Sequence, residues 1–524
     1  MKVRQTLCGG DVAGSPYDLA GNTVQVTDQT GSVTHEYDPS EVLTATTYPT
    51  GSGTAKQIYL TDKQGRRTDT WLGAASTATG GVEPASWAAH QKLTYDKSGK
   101  VTKVQAWSDS SNSTAVVDAS YCYVASTTAP DCTASMVDDR DKLQWSKDNI
   151  TGQVTDYGYL AADGTTPTDR LTGITQTGGS NPTNWAYTYD SAGNRTEAKA
   201  TNAASGALIS DQKLSFNAVG QITTTGYSYD GVGNMTAAPG ETYTYNGAQQ
   251  LTASTKDGVQ TRYEYAGADM LKLLHQATDG GAEYDYTYGT SDSNGVPVIA
   301  NHATPGTGTA AVISDPTTGQ ALDLRTTDGT TSMYVTDGIG DPAASIADTG
   351  KTAYTVSYDP YGGETISTDG AASAQWQQNP YGYKNGLRSS STDTGLTKFG
   401  YRWQSNVTGG WIERDTLDTP LDPNNANRYA YAGGDPINSQ DPTGLIPFTG
   451  LFKLGALLYT TNGALSGEGS PAGYIAGAAS ELACDAAATV AGVATGGAGF
   501  IAAAGCFAVG EFISYSANRV IEDE

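Results

Sequence analysis

Histidine is scarce in this 524-residue chain: His35, His90, His275 and His302 are all there are. None stands beside the five cysteines, Cys8, Cys122, Cys132, Cys484 and Cys506, and no set has the spacing of zinc ligands. A metal centre is therefore not expected, and nothing calls for a cofactor. Cys122 and Cys132 flank a short loop and suit a local disulfide. Cationic side chains are also few. Lys and Arg number 30 against 55 Asp and Glu, a net charge of −25, which argues against nucleic acid as a partner and reads most simply as a solvated acidic surface. Phenylalanine is rare, with 7 residues, and runs of helix-forming Ala, Leu, Glu and Lys are rare before residue 440. The first ten residues, Met1 to Gly10, lack an apolar stretch, which excludes an ordinary secretory signal there. Export by another route, retention inside the cell, and a chain that is the tail of a longer one stay open.

What the chain has is tyrosine and glycine, 32 and 64 residues, a composition that favours strands and turns. The two are arranged in repeats. Tyr187-Thr-Tyr-Asp-Ser-Ala-Gly-Asn-Arg-Thr196 is matched by Tyr227-Ser-Tyr-Asp-Gly-Val-Gly-Asn-Met-Thr236. Looser copies start at Tyr17, Tyr59, Tyr95, Phe216 and Tyr358. Tyr-x-Tyr puts two rings on one face of a strand. Asp-x-x-Gly is turn chemistry, with Asp capping its own backbone and Gly accepting a positive φ. Each unit is then a strand-turn-strand element that must stack on its neighbours to bury an apolar face. The tyrosine stripes read as packing ladders; the functional alternative is stacking on sugars.

Downstream, the chain carries Gly395-Leu-Thr-Lys-Phe-Gly-Tyr-Arg-Trp403, Gly409-Gly-Trp-Ile-Glu-Arg-Asp415, Asn427-Arg-Tyr-Ala-Tyr431 and Asp435-Pro-Ile-Asn-Ser-Gln-Asp-Pro-Thr-Gly-Leu445. The repeats followed by this block resemble the rearrangement-hotspot (Rhs) or YD-repeat family of polymorphic-toxin type. The resemblance covers roughly residues 15–445 and is tightest over 375–445. It implies a mainly β fold, a strand spiral closing into a hollow shell. Residues 1–374 would be the shell, incomplete at its N-terminus; 375–445 the repeat-associated core; and 446–524 a variable segment enclosed by the shell. It also implies that the core is an intramolecular aspartyl protease cutting after the last Leu of its motif. Carried over by motif, Asp415 and Asp441 are the catalytic pair, Arg402 orients them, and Leu445 precedes the cut. Such a pair shares one proton: the carboxylate activates water and the acid polarises the scissile carbonyl.

Some positions depart from the family pattern. Gly409-Gly410-Trp411 replaces Gly-Arg-Phe/Trp, Thr416 replaces a Pro after the first Asp, and Arg402-Trp-Gln-Ser-Asn406 replaces Arg-Tyr-Tyr-Asp-Pro. These changes bear on loop geometry more than on the catalytic groups. Glu413, Asp418, Asp422 and Asp435 lie close enough in sequence to substitute for one of the pair. By the same resemblance, the setting is intercellular competition, the protein is secreted or cell-surface by an unknown export route, and an immunity protein is a further partner.

Beyond Leu445 the composition changes. Residues 446–524 have two cations, Lys453 and Arg519, against seven acids, and no His. No catalytic cluster is visible. Ala486 to Gly510 is uncharged and long enough to cross a bilayer, and Gly492 to Gly496 is a Gly-x-x-x-Gly step. A helical reading follows, with two outcomes: a hairpin acting on a target-cell membrane, or a small soluble helical domain or cargo remnant. The rival reading of the whole chain is an uncleaved surface protein that binds carbohydrate or neighbouring cells.

Overall fold

The computed structural model describes residues 17–124, 129–132, 142–161, 163–367, 369–391, 394–416 and 426–445, and the backbone of 448–449. Alternating Tyr, Thr and Val runs form strands that, within each sheet, pair antiparallel with the next in sequence. Among the described residues, fourteen strands, from Gln25–Asp28 to Leu208–Lys213, make one meandering sheet, and fourteen more, from Ser228–Tyr229 to Glu364–Ile366, make a second. A four-stranded sheet (Leu387–Arg388, Leu396–Phe399, Arg402–Ser405, Gly410–Trp411) follows, and Ser439–Gln440 pairs with Phe448–Thr449. The fold is mainly β, as expected. The segment expected to be helical, with Ala486 to Gly510, lies outside the described residues, as do Asp418 and Asp422.

The repeat frame explains the connections. Asp190 Oδ1 accepts the backbone N–H groups of Ala192 and Asn194, each at 2.9 Å, and Gly193 takes φ +80°. Asp230 binds Val232 and Asn234 in the same way, at 3.0 and 2.8 Å. The Tyr before each Asp sits at a break in register, between Thr188 and Tyr189 in one unit and between Ser228 and Tyr229 in the other. Such a bulge re-aims the side chain. Tyr189 thus donates its hydroxyl hydrogen to the Leu171 carbonyl at 2.8 Å, as Tyr95 does to Arg67 and Tyr37 to Thr23. Tyr187, Tyr243, Tyr263 and Tyr286 are buried, so these rings are packing groups with no face left for a sugar. Cys122 and Cys132 are joined, with their Cα atoms 5.8 Å apart.

The two large sheets meet. Tyr48 and Leu72 of the first share an apolar cluster with Ile313, Met333, Val335 and Ile346 of the second. Beside it Gln57 donates to Asp323 at 2.8 Å and Arg67 pairs with Asp315 at 2.9 Å. The block after residue 375 packs against both. Leu387, Leu396, Trp403 and Ile412 join the second sheet's core, and Ile437 joins Leu143, Leu171 and Ile174 of the first.

Candidate functional site

Arg402 opens a strand whose four residues, Arg402–Ser405, are all buried. The chain returns through Gly410–Trp411 to Asp415, and later through the 427–431 segment to Asp441. Three stretches far apart in sequence therefore converge. The repeat turns hold the 427–431 segment. Asn427 Nδ2 donates to Asn194 Oδ1 at 2.7 Å, and the Tyr429 hydroxyl donates to the Gly233 carbonyl at 2.7 Å. Between them the Arg428 carbonyl accepts the Asp415 N–H at 3.0 Å and Arg402 Nη1 at 3.2 Å. The two clearest repeat units thus grip the segment that lines up Arg402 with Asp415.

One guanidinium nitrogen contacts both carboxylates. Arg402 Nη2 lies 2.6 Å from Asp415 Oδ2 and 3.3 Å from Asp441 Oδ2. Arg402, Asp415 and Asp441 are 3%, 1% and 1% exposed. Arg402 Nε also donates to the Gly444 carbonyl, one residue before Leu445. Asp441 Oδ1 in turn accepts the Leu445 N–H at 3.1 Å and the Thr443 hydroxyl at 3.0 Å. All four residues expected from the sequence are therefore together. The walls are aromatic: the guanidinium stacks over Trp411 at 4.2 Å, and Phe399, Trp411 and Tyr431 pack ring against ring. Burial pulls the Arg402 pKa below its usual value, against the opposing pull of Asp415 and then Asp441. In such low-dielectric surroundings charge contacts are stronger than in water.

The loop ending at Leu445 is tightly seated. Gly400 has φ +42°, and a Cβ there would stand 2.1 Å from the Thr443 carbonyl oxygen. That oxygen accepts the Tyr401 N–H at 2.8 Å. A cavity of about 420 Å³ between the two large sheets reaches Gly400, Gln440 and Pro442 at the back of the loop. Strand pairing of Gln440 with Phe448 and Ser439 with Thr449 brackets Leu445 from both sides.

Of the alternative acids, Asp435 is engaged elsewhere: it pairs with Lys142 at 2.8 Å and accepts from Asn438. Glu413 lies nearer and accepts the Trp403 N–H at 2.9 Å. Sequence reasoning missed Lys398, buried on the strand before Arg402, because a lysine is rarely buried and nothing in the sequence marks this one as an exception. It also missed the Arg428 carbonyl, because a backbone group leaves no signature in the sequence.

Residues 155–437, more than half of the chain, match the family model described as the teneurin YD-shell. The chain belongs to this family. Two curated relatives of the YD-shell chain are tRNA nucleases by name. The tRNA3(Ser)-specific nuclease WapA of Bacillus spizizenii is 26% identical over 282 residues, and the tRNA nuclease WapA of Bacillus subtilis is 24% identical over 282. Each match covers 49% of this chain and 11% of the relative's length, so the chain spans only a small part of either protein. Among solved structures, that of TcdB2-TccC3-Cdc42 superposes with a TM-score of 0.61 at 14% identity, covering 85% of this chain and 22% of that one. TcdB2-TccC3 without its hypervariable C-terminal region gives 0.52 at 15%, covering 82% and 21%. At such identities the likeness is one of fold. The Rhs/YD-repeat shell expected from the sequence is the fold observed.

Proposed function

We propose that this YD-shell chain cuts itself after Leu445, with Asp415 and Asp441 as an aspartyl pair and Arg402 as their orienting cation. The observation that carries the reading is the double role of Arg402. Its Nη2 holds both carboxylates while its Nε holds the carbonyl of Gly444, next to the bond to be cut. Asp441 fixes the same loop by accepting the Leu445 N–H.

In this reaction the pair carries one proton. The ionised carboxylate takes a proton from water as the oxygen adds to the Leu445 carbonyl carbon, and the protonated one gives its proton to the carbonyl oxygen. Collapse of the tetrahedral species breaks the bond to Ile446. The nitrogen leaves as an amine after taking a proton from the pair, and Leu445 ends as a carboxylate. Arg402 offsets the excess negative charge throughout.

The shell then serves as the scaffold of the site and the container of the 446–524 segment, an effector in competition between cells, carried by a secreted or cell-surface protein. Membrane action by that segment and an immunity protein against it belong to the same reading and rest on sequence alone. The buried tyrosine ladders give no support to the carbohydrate-binding alternative. The test is to purify the full chain, follow it on a denaturing gel and sequence the N-terminus of any small product. A fragment beginning at Ile446 is expected. A folded chain that stays intact on long incubation refutes the reading.

A further inference from the structure

Two ionisable side chains beside the aspartate pair have no part in that chemistry. Glu413 and Lys398 are 4% and 5% exposed. Glu413 Oε2 accepts the N–H of Trp403 at 2.9 Å, and the Ile412 N–H donates to the Trp403 carbonyl at 3.0 Å. The residue after Arg402 is therefore clasped through both backbone groups by the segment that leads to Asp415. Lys398 acts on the other side of Arg402. Its Nζ donates to the Gly400 carbonyl and to the Met270 carbonyl at 2.8 Å, which ties the turn before Arg402 to the second large sheet. That turn is the one pressed against Thr443 of the Leu445 loop.

We propose that Lys398 and Glu413 are a buried positioning pair that holds Arg402 from both sides against the two aspartates, so that self-cleavage responds to ionisable groups which are not themselves catalytic. The proposal rests on the self-cleavage reading above. The charged and titratable groups around the pair are Arg402, Asp269, Tyr245 and Tyr265. Burial pushes Glu413 up to about 8, against the Trp403 N–H, Lys398 and Arg402. Burial also pulls Lys398 down to about 8, against Glu413 and Asp269. Raising the pH through this region takes the pair from a lysine cation with a neutral acid to a carboxylate with a neutral amine. The net charge of the two side chains beside Arg402 changes sign.

Three variants test this in the full chain. Glu413→Gln keeps an oxygen for the Trp403 N–H but cannot ionise, Glu413→Leu loses both, and Lys398→Met removes the cation. The wild-type cleavage rate should change by tenfold or more between pH 7 and 9. Glu413→Gln should still cleave with a shallower profile, while Glu413→Leu and Lys398→Met should slow at least tenfold at pH 7. A Glu413→Gln profile equal to wild type, or Glu413→Leu cleaving at the wild-type rate, overturns the proposal. Amide exchange in an uncleavable Asp441→Asn background separates the two claims. Protection at Trp403 should drop with Glu413→Leu and not with Glu413→Gln, whether or not the wild type cuts itself; equal protection in all three chains refutes the clasp. A wild-type chain that does not cut refutes the protease reading instead.

Discussion

Replacing Asp441 by Asn separates chemistry from structure at the proposed site. The side chain is 1% exposed, and each of its oxygens has its own work. Oδ1 accepts from Thr443 and from the Leu445 N–H, and an amide oxygen retains both bonds. Oδ2 faces Arg402 at 3.3 Å, and that contact becomes neutral or is lost. Arg402 keeps its shorter contact with Asp415, at 2.6 Å, so no charge is left buried alone. Loss of a charged hydrogen bond, offset by relief of repulsion between two acids, gives a stability change of about 0–2 kcal/mol. Removing Arg402 instead leaves the charge of the buried aspartate pair without a partner cation, at about 3–5 kcal/mol. The chemical effect of Asp441→Asn is far larger than its structural one. Without a titratable group, general acid–base help worth about 10²–10⁴-fold disappears, which is about 3–5 kcal/mol of barrier. Pulse expression followed by a chase on denaturing gels measures the cleavage half-life, and thermal melting provides the control. A variant that melts like wild type and cleaves at the same bond with the same half-life would show that Asp441 takes no part in cutting.

Gly400→Ala forces a Cβ to within 2.1 Å of the Thr443 carbonyl at φ +42°. It should cost more than about 2 kcal/mol and stop cleavage, whereas Gly21→Ala, with open space around it at φ +99°, should cost about 1 kcal/mol of backbone strain and leave cleavage alone; melts and gels check both. Acid should weaken the fold through two buried histidines, His35 and His302, each pulled down to about 4 by burial. A lowered folded pKa gives stability that is complete above the unfolded value of about 6.5 and is lost as pH falls through 4, up to about 3 kcal/mol for each residue. Denaturant melts at pH 7 and pH 4 should show the drop, and His35→Gln with His302→Gln should shrink it; an unchanged drop would place the acid sensitivity elsewhere.

The repeat units could be read from the sequence because their chemistry is local. Asp190, Gly193 and Asn194 close a turn through bonds within five residues, so the motif contains its own cause. Tyr189 is half local: its ring belongs to the strand, but its hydroxyl partner, the Leu171 carbonyl, comes from the preceding hairpin. Arg402, Asp415, Asp441 and Leu445 came out of the sequence for a different reason, as candidates carried over from a family resemblance. Their geometry did not. Asp435 carried the same local signal as Asp441, an Asp-Pro step in the same block, yet it is paired with Lys142, just before the strand Trp145–Asp148. Nothing in the sequence marks Lys398 as buried, and it is.

The sequence by itself determined the strands, the turns and the set of side chains available for the site, because hydrogen bonds between near neighbours and strand alternation depend on few residues. Only the tertiary structure brought Asp415 and Asp441 to Arg402. That meeting follows from closure of the sheets, which sets the turns at Asn194 and Gly233 against Asn427 and Tyr429 more than 190 residues away and leaves the Arg428 carbonyl between Arg402 and Asp415. A contact made across such a separation depends on how all the intervening strands stack, and no local pattern encodes it.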